Sequence, residues 1–437
     1  MRATIFALSS GGLPSGVAVV RLSGEGTRKA LEEMAGALPV ARQAALRGIH
    51  NRDGVLLDRG LVLFFPAPHS FTGEDCAELH LHGGRAVVQA VLDALAGFAG
   101  FRLAEAGEFT RRAFLNGKFD LTEAEALSDL IAAETEAQRR FALANAETRH
   151  RALYDGWRRT LIQARAMIEA ELDFSDEEDV PGSVAEQVWN DVTALHRSLR
   201  THAAGYRNAE IIREGYRVVI LGAPNAGKSS LLNALAQRDI AIVTDEPGTT
   251  RDALETALDI DGAKVILTDT AGIREDPGRV EALGIERAIS RAKDADLILV
   301  LEDMSAEDTV EAPADAPSLR VGNKADLPAK DRNQRDYDFE ISAKSGEGID
   351  ALLAELRQRV GDATRNATEV LPFRQRHVQL IEEAARHAQT AIASEDTPLE
   401  LRAEELRLSA DALGRISGSI DVEDLLDTIF SQFCIGK

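Results

Sequence analysis

Gly222, Gly227, Lys228 and Ser229 fill the spacing G-x-x-x-x-G-K-[ST], and the chemistry of that spacing is phosphate binding. Glycines let backbone N–H groups turn inward around an anion, and a helix opening behind them adds the partial positive charge of its N-terminus. Lys228 would reach β- and γ-phosphate oxygens, and the Ser229 hydroxyl would face Mg²⁺. Asn225, Ala226 and Ser230 complete the expected phosphate loop. Further on, Asp269 precedes Thr270, Ala271 and Gly272. That carboxylate can hold Mg²⁺ through water, and the Gly272 N–H can touch a γ-phosphate and so sense its presence. Asn323, Lys324, Ala325 and Asp326 come next. Asp326 can accept two N–H bonds from guanine N1 and N2; adenine offers neither donor and would leave the carboxylate unpaired. Ser342, Ala343 and Lys344 form a loop whose N–H groups suit guanine O6.

These groups need a scaffold that delivers each to one end of a sheet. Apolar, β-branched runs at 217–221, 264–268, 297–301 and 319–322 predict strands, and a helix is expected over 231–236. All four motifs then fall at strand ends in the order a guanine-nucleotide-binding α/β domain requires, over about 215–365. Hydrolysis is less plainly written. Ile273 follows the Asp269 loop where many such domains carry a water-orienting glutamine. No arginine finger is evident, and one is typically worth ~10³–10⁵ in rate, about 4–7 kcal/mol. Either another group supplies that stabilisation or the domain is a slow switch.

The 437 residues suffice for two or three domains. Strands are expected at 17–22, 61–65 and 77–82, with a helix over 85–98, giving an N-terminal α+β unit. From Thr122 the texture turns helical: Thr122 and Glu125 read as a capping box opening an Ala/Glu/Leu/Arg-rich stretch to about 172. Helical sequence continues over 184–207 and resumes over 374–433. The economical arrangement is a helical domain interrupted by the nucleotide domain, since amphipathic stretches so separated can bury their stripes together. The expected boundaries are 1–116 (α+β), 117–212 (helical, first part), 213–366 (inserted P-loop domain) and 367–437 (helical, second part). The expected class is multidomain, α/β and α, with a mostly parallel sheet in the inserted domain.

A formal charge of −22, from 50 basic and 72 acidic residues, argues against nucleic-acid binding by bulk electrostatics, so such contact would use local patches or a partner. No apolar run approaches the ~18 residues a membrane span needs, and Met1 leads directly into strand-like sequence without a secretory pattern. Cys76 and Cys434 stand far apart, which suits a reducing cytoplasm rather than a disulfide. The acidic stretch 303–318 reads as a solvated loop. Arg140, Arg151, Arg158 and Arg165 fall within about 40° on an ideal helix, but Glu147 and Glu169 share that stripe, which favours a salt-bridged solvated face over a nucleic-acid surface. His80 and His82 share a strand face without an evident third zinc ligand. Cys434 satisfies the form of a prenylation site, with Lys437 a poor last residue.

Thr72, Gly73, Glu74 and Asp75, then His82, Gly83 and Gly84, Gly107 to Thr110, Arg112 to Lys118, the nucleotide motifs and the terminal Cys434, Ile435, Gly436 and Lys437 resemble the tRNA-modification GTPase MnmE (TrmE) family over essentially the whole chain. The resemblance implies a homodimer formed through an N-terminal domain that binds a tetrahydrofolate derivative (5-formyl or 5,10-methylene), with contacts matching Arg21, Glu78, Lys118 and Lys437. It implies K⁺ in the place of the missing arginine, held by Asn225 and by a loop matching Thr244, Asp245, Glu246, Pro247, Gly248 and Thr249, with Thr244, Glu246 and Thr249 as ligands. Thr250 would join Ser229 on Mg²⁺, Glu281 would orient water indirectly, and Cys434 would face the folate site. The implied catalytic set is Lys228, Asp269, Glu281 and Cys434. The implied partners are tRNA and the FAD-dependent MnmG protein in a heterotetramer, and the implied activity is GTP hydrolysis coupled to modification at C5 of the wobble uridine. A regulatory or ribosome-assembly GTPase, or a dimer that binds GTP without turnover, are the alternatives. There are three departures from the pattern: the turn at 11–16 lacks its basic residue, Glu246 and Pro247 replace small or apolar residues, and Glu255 stands where relatives often carry arginine.

Overall fold

The computed structural model describes residues 3–146, 149–173, 183–238, 240–241, 255–269, 294–314, 316–333, 335–393, 397–420, 423–431, 433 and 435–436. Two compact units emerge. One comprises Met1–Ser128, Arg151–Arg158 and Ala410–Lys437, the other Asp129–His150 and Arg159–Ser409.

The first unit is built on β1 (Thr4–Leu8), β2 (Ser15–Ser23), β3 (Ala45–His50), β4 (Leu56–Phe65), β5 (Cys76–Gly83) and β6 (Phe101–Leu103), in the order β3-β4-β5-β2-β1-β6. All pairings are antiparallel except β1 with β6. Side chains alternate with period two, so Ala18, Val20 and Leu22 of β2 and Leu79 and Leu81 of β5 are buried. They pack with Leu31 and Met34 of α1 (Thr27–Ala35) and Val91 and Leu95 of α2 (Arg85–Ala96). The intervening positions Arg21, Glu78 and His80 are left for the opposite face. Then follow α3 (Glu108–Leu115) and α4 (Leu121–Ala132).

The helix α4 opens differently from expectation. Asp120, not Thr122, is the cap: its Oδ1 accepts from Glu123 N (2.9 Å) and Thr122 Oγ1 (2.7 Å), while Glu123 Oε2 accepts from Asp120 N (2.8 Å). The reciprocal box is therefore Asp120 with Glu123, two residues upstream of the Thr122–Glu125 pair with the same spacing. Asp is as strong a cap as Thr, and Lys118 N donating to Ala113 O ends the preceding turn early enough for Asp120 to take the role.

The second unit carries β7 (Tyr216–Leu221), β8 (Ile240–Ala241), β9 (Glu255–Ile260), β10 (Ala263–Asp269), β11 (Leu297–Asp303), β12 (Ser318–Asn323) and β13 (Phe339–Ile341), in the order β13-β12-β11-β7-β10-β9-β8. From β13 to β10 all strands run parallel; β9 and β8 are antiparallel additions. The parallel strands are covered on both faces and read as unbroken apolar runs, as in Leu297 to Leu301, all buried. The helices are α5 (Glu136–Ala146), α6 (Arg149–Asp173), α7 (Ser183–Ala204), α8 (Tyr206–Glu214), α9 (Lys228–Arg238), α10 (Ile349–Thr364), α11 (Gln375–Ala393), α12 (Leu399–Ser417) and α13 (Glu423–Phe430); α13 and parts of α6 and α12 belong to the first unit.

The helical stretch expected to reach 172 is thus three helices. Arg140 lies on α5 while Arg151, Arg158 and Arg165 lie on α6, so no single four-arginine stripe exists. Arg140 bonds Glu136, Arg151 faces Asp155 and Arg165 bonds Glu169, the salt-bridged arrangement expected of a solvated face. Asp129 ties the two chain crossings that bracket the parallel sheet: it accepts from Arg374 through both oxygens (2.8 Å each) and lies 3.4 Å from Arg213 Nε, and Arg213 donates to Phe373 O at 2.7 Å. Among the described residues no helix is long and apolar enough to cross a membrane.

Candidate nucleotide site and N-terminal pocket

Strand β7 ends at Leu221 and α9 begins at Lys228, so the phosphate loop spans the strand-to-helix turn that its glycines predict. Gly227 adopts φ +97, and a Cβ there would stand 2.3 Å from Asn323 Nδ2; both facts demand glycine. Asn225 also takes a left-handed φ of 66. The Lys228 ammonium donates to Gly222 O (2.7 Å) and Ala223 O (2.9 Å), carbonyls of its own loop. Burial lowers its pKa, and the Asp269 carboxylate opposes that shift. Ser229 Oγ donates to Asp269 Oδ2 at 2.7 Å, so the hydroxyl and carboxylate expected around Mg²⁺ converge from α9 and the end of β10. Two hard oxygens at that spacing suit a magnesium shell completed by water and phosphate.

The base end is braced by a residue whose part the sequence did not reveal. Asn323 is buried; its Nδ2 donates to Ala226 O at 2.7 Å and its Oδ1 accepts from Ala343 N at 3.0 Å. One side chain thereby locks the phosphate loop to the 342–344 loop. Asp326 accepts from Ser342 Oγ at 2.7 Å, a bond that holds its carboxyl below the usual carboxylate range, helped by Lys344 and Arg332. It remains ionised and turned to solvent, ready for paired N–H donors. Ala325 N donates to Ile341 O at 2.9 Å, fixing the two loops to each other. The phosphate loop, Asp269, 323–326 and 342–344 all lie at the carboxyl ends of the parallel strands, where such sheets bind ligands.

Thr244 to Thr250, Thr270 to Gly272, Glu281, Cys434 and Lys437 lie outside the described residues. Glu255 opens β9 as an exposed residue paired with Thr268. Asp303, placed in a solvated loop by its composition, is instead the last residue of β11 and pairs with Lys324.

In the first unit, Arg21 and Glu78 are register partners on β2 and β5. Arg21 Nε (3.2 Å) and a terminal nitrogen (3.0 Å) both donate to Glu78 Oε1, while His80 Nε2 lies 3.2 Å from Glu78 Oε2. His82 bonds Asp58 instead, so the two histidines have separate carboxylate partners. A cavity of about 210 Å³ opens here, lined by Arg21, Phe65, Phe71, Cys76 and Glu78. The Arg21 guanidinium lies 5.3 Å from the Phe71 ring and 5.9 Å from that of Phe109. Lys118 does not line the cavity; its stem is beside Gly73, two residues from Phe71. The terminal segment is anchored in the same unit, with Ile435 bridging Ala106 and Ser9 Oγ donating to Gly436 O at 2.7 Å.

The aromatic lining was missed because nothing in composition distinguishes Phe65, Phe71 or Cys76; the adjoining motif at 72–75 was the available pointer. That motif builds the wall. Buried Arg112 donates to Glu74 and Glu108 (2.9 Å each) and to Ala3 O (2.8 Å), Ser23 donates to Glu74 at 2.7 Å, and Asn116 donates to Thr72 O at 2.6 Å. Burial favours a neutral Glu108, but bonds from Arg102, Glu105 N and Arg112 prevail and hold its carboxyl below the usual range.

The fold and the converging loops define a multidomain protein carrying a guanine-nucleotide-binding P-loop domain. Residues 121–434 match the family described as MnmE helical domain, and residues 4–118 match that described as GTP-binding protein TrmE N-terminus. The tRNA modification GTPase MnmE of Chelativorans sp. (strain BNC1) is 64% identical over 437 residues, covering 100% of this chain and 99% of that one. Its counterpart in Mesorhizobium japonicum is 61% identical over 439 residues, covering 99% of each chain. This chain belongs to the MnmE family of tRNA modification GTPases. Among solved structures, the FeoB G-domain from Methanococcus jannaschii aligns at a TM-score of 0.25 and 23% identity, over 34% of this chain and 98% of that one.

Proposed function

We propose that this protein is a potassium-dependent GTPase that acts with a flavoprotein partner of the MnmG kind to install an aminomethyl-type group at C5 of the wobble uridine in tRNA. The carrying observation is the convergence of Lys228, Ser229, Asp269, Asn323 and Asp326 at one sheet end in a chain alike over its full length to proteins named tRNA modification GTPases. Lys228 and the phosphate-loop N–H groups would bind the β- and γ-phosphates, Ser229 and Thr250 would hold Mg²⁺ with Asp269 contributing through water, and Asp326 would read the guanine edge. K⁺, held by Asn225, Thr244, Glu246 and Thr249, would supply the positive charge that an arginine finger supplies elsewhere. Glu281 orients the attacking water indirectly.

The N-terminal cavity supports a folate reading. Its 210 Å³ is small for a whole ligand of this class and suits a bicyclic ring, with the tail outside. The aromatic walls and the Glu78 carboxylate match the face and the donor edge of a pterin. Arg21, Lys118 and Lys437 suit its carboxylates or formyl oxygen, and the folate would supply the one-carbon unit. Cys434 would act together with the folate, and homodimerisation in the cytoplasm would run through the N-terminal domain, whose sheet leaves Leu46 and Leu61 exposed. GTP hydrolysis drives rearrangement rather than bond formation.

Nucleoside analysis of tRNA from cells lacking the protein tests this, with complementation by Lys228→Ala and Cys434→Ser variants. Unmodified wobble uridines restored by the unaltered chain and by neither variant are expected; normal wobble uridines in the deletion strain would refute it. Equal turnover in Na⁺ and K⁺ would refute the ion's part.

A further inference from the structure

The strand beside the guanine motif ends in a carboxylate that neither phosphate nor base-edge chemistry uses. Asp303 closes β11 and is the register partner of Asn323. Its carboxylate pairs with the Lys324 ammonium, and Ser305 donates to its Oδ1 from backbone N (2.9 Å) and Oγ (2.6 Å). Met304 N donates to Asn323 O at 3.1 Å, tying the two strand ends together. Lys324 has φ +71, a left-handed conformation that long side chains rarely take. It is bracketed by Asn323, fixed to two loops, and by Ala325, fixed to Ile341.

We propose that Asp303 is a positioning residue for guanine-nucleotide binding: anchored on its carboxylate, the Lys324 stem is held as one wall of the slot whose edge contacts come from Asp326. This rests on the guanine-nucleotide reading of the site. Most surface ion pairs return little because both partners must be ordered to form them. Here the lysine backbone is fixed by its neighbours and the carboxylate by Ser305, so the ordering precedes the ligand. The four methylenes then meet the base face without the loss of freedom that a loose side chain would suffer on binding. That loss corresponds to about two- to tenfold in affinity.

The test is titration of the full chain with fluorescent GDP and IDP. Asp303→Asn is expected to weaken both by the same two- to tenfold, because the stem meets the face of the base and not the N2 edge that inosine lacks. In a Lys324→Ala background Asp303→Asn is expected to add nothing, and Asp303→Glu, which keeps the charge, to bind within about twofold of the unaltered chain. Undiminished binding by Asp303→Asn, a loss restricted to GDP, a loss that persists in full without Lys324, or an Asp303→Glu as weak as Asp303→Asn would each overturn the proposal. The unaltered chain's preference for GDP over ADP is read in the same titrations. Failure of the guanine reading appears there, and failure of this proposal appears only in the variants.

Discussion

The parallel sheet and the antiparallel sheet of this chain present their polar groups in opposite ways. In the parallel sheet the middles of the strands are mostly apolar, and the polar groups of the site cluster at the carboxyl ends: Asp269 and Asn323 close β10 and β12, Lys228 opens α9, and Asp326 lies on the loop beyond β12. In the N-terminal sheet the polar groups stand within the strands: Arg21, Glu78 and His80 alternate with buried Val20, Leu79 and Leu81. A site made of loops uses consecutive residues and backbone N–H groups. A site made on a sheet face uses cross-strand register, which joins residues far apart in the chain. The first survives only if particular residues are present; the second depends on pairs.

The sharpest way to break that contrast is Lys228→Ala. Lys228 is the one charged side chain between Gly222 and Ser230, so GTP turnover measured by phosphate release should fall at least about a hundredfold, the scale of losing one preorganised donor. Retention of a tenth of the rate would mean that the loop site is redundant. Asp326→Asn should come next. Charge-assisted bonds of ~1.5–3 kcal/mol are lost, so GDP binding by calorimetry should weaken about ten- to a hundredfold, and xanthine nucleotides, which present an acceptor where guanine presents its N2 donor, should gain. A variant still preferring GDP would show that Asp326 does not read the base.

On the sheet face the expected effects are smaller and coupled. Arg21→Gln and Glu78→Gln should each weaken 5-formyltetrahydrofolate binding about tenfold, and the double variant should do little worse, because either change removes the same charge-assisted pair. Additive losses in a fluorescence titration would mean that the two residues act separately, and the register pair would not be the unit of the site.

The same contrast governs what the sequence could disclose. The glycine spacing, Asp269 and the Asn323-to-Asp326 run were readable because loop chemistry is written in consecutive letters, and the apolar runs at 217–221 and 297–301 announced the strands that carry them. Asn323 as the brace between two loops was not readable, since the bonds to Ala226 O and Ala343 N depend on distant backbone. Arg21 and Glu78 came only from resemblance: nothing local announces that residues on β2 and β5 meet. Phe65 and Phe71 look like any core aromatic. Composition misjudged Asp303, because acidic neighbours hide that it closes a strand. It also misplaced the cap of α4, because two overlapping spacings fit one motif and only the end of the preceding turn decides between them.

Asp120 and Asp326 carry the contrast to its smallest expected effect. Asp326 faces solvent and its carboxyl is held low by Ser342; Asp120 is buried, and burial pushes its carboxyl up against the bonds from Glu123 N and Thr122. A raised carboxyl pKa means that the folded chain keeps a proton the unfolded chain has released. The contribution of Asp120 to stability is therefore greatest below the unfolded value of 3.8 and declines as pH rises through the folded value. At neutral pH its cap is bought with buried charge. Asp120→Ala removes the cap acceptor and should cost about 1 kcal/mol. Asp120→Asn keeps the acceptor without the charge, so it should match or exceed the unaltered chain at pH 7 and lose its advantage on acidification. Denaturant unfolding at pH 4 and 7 separates these outcomes. An asparagine variant as unstable as the alanine variant at pH 7 would show that the ionised carboxylate, favoured by the helix N-terminus, outweighs its burial.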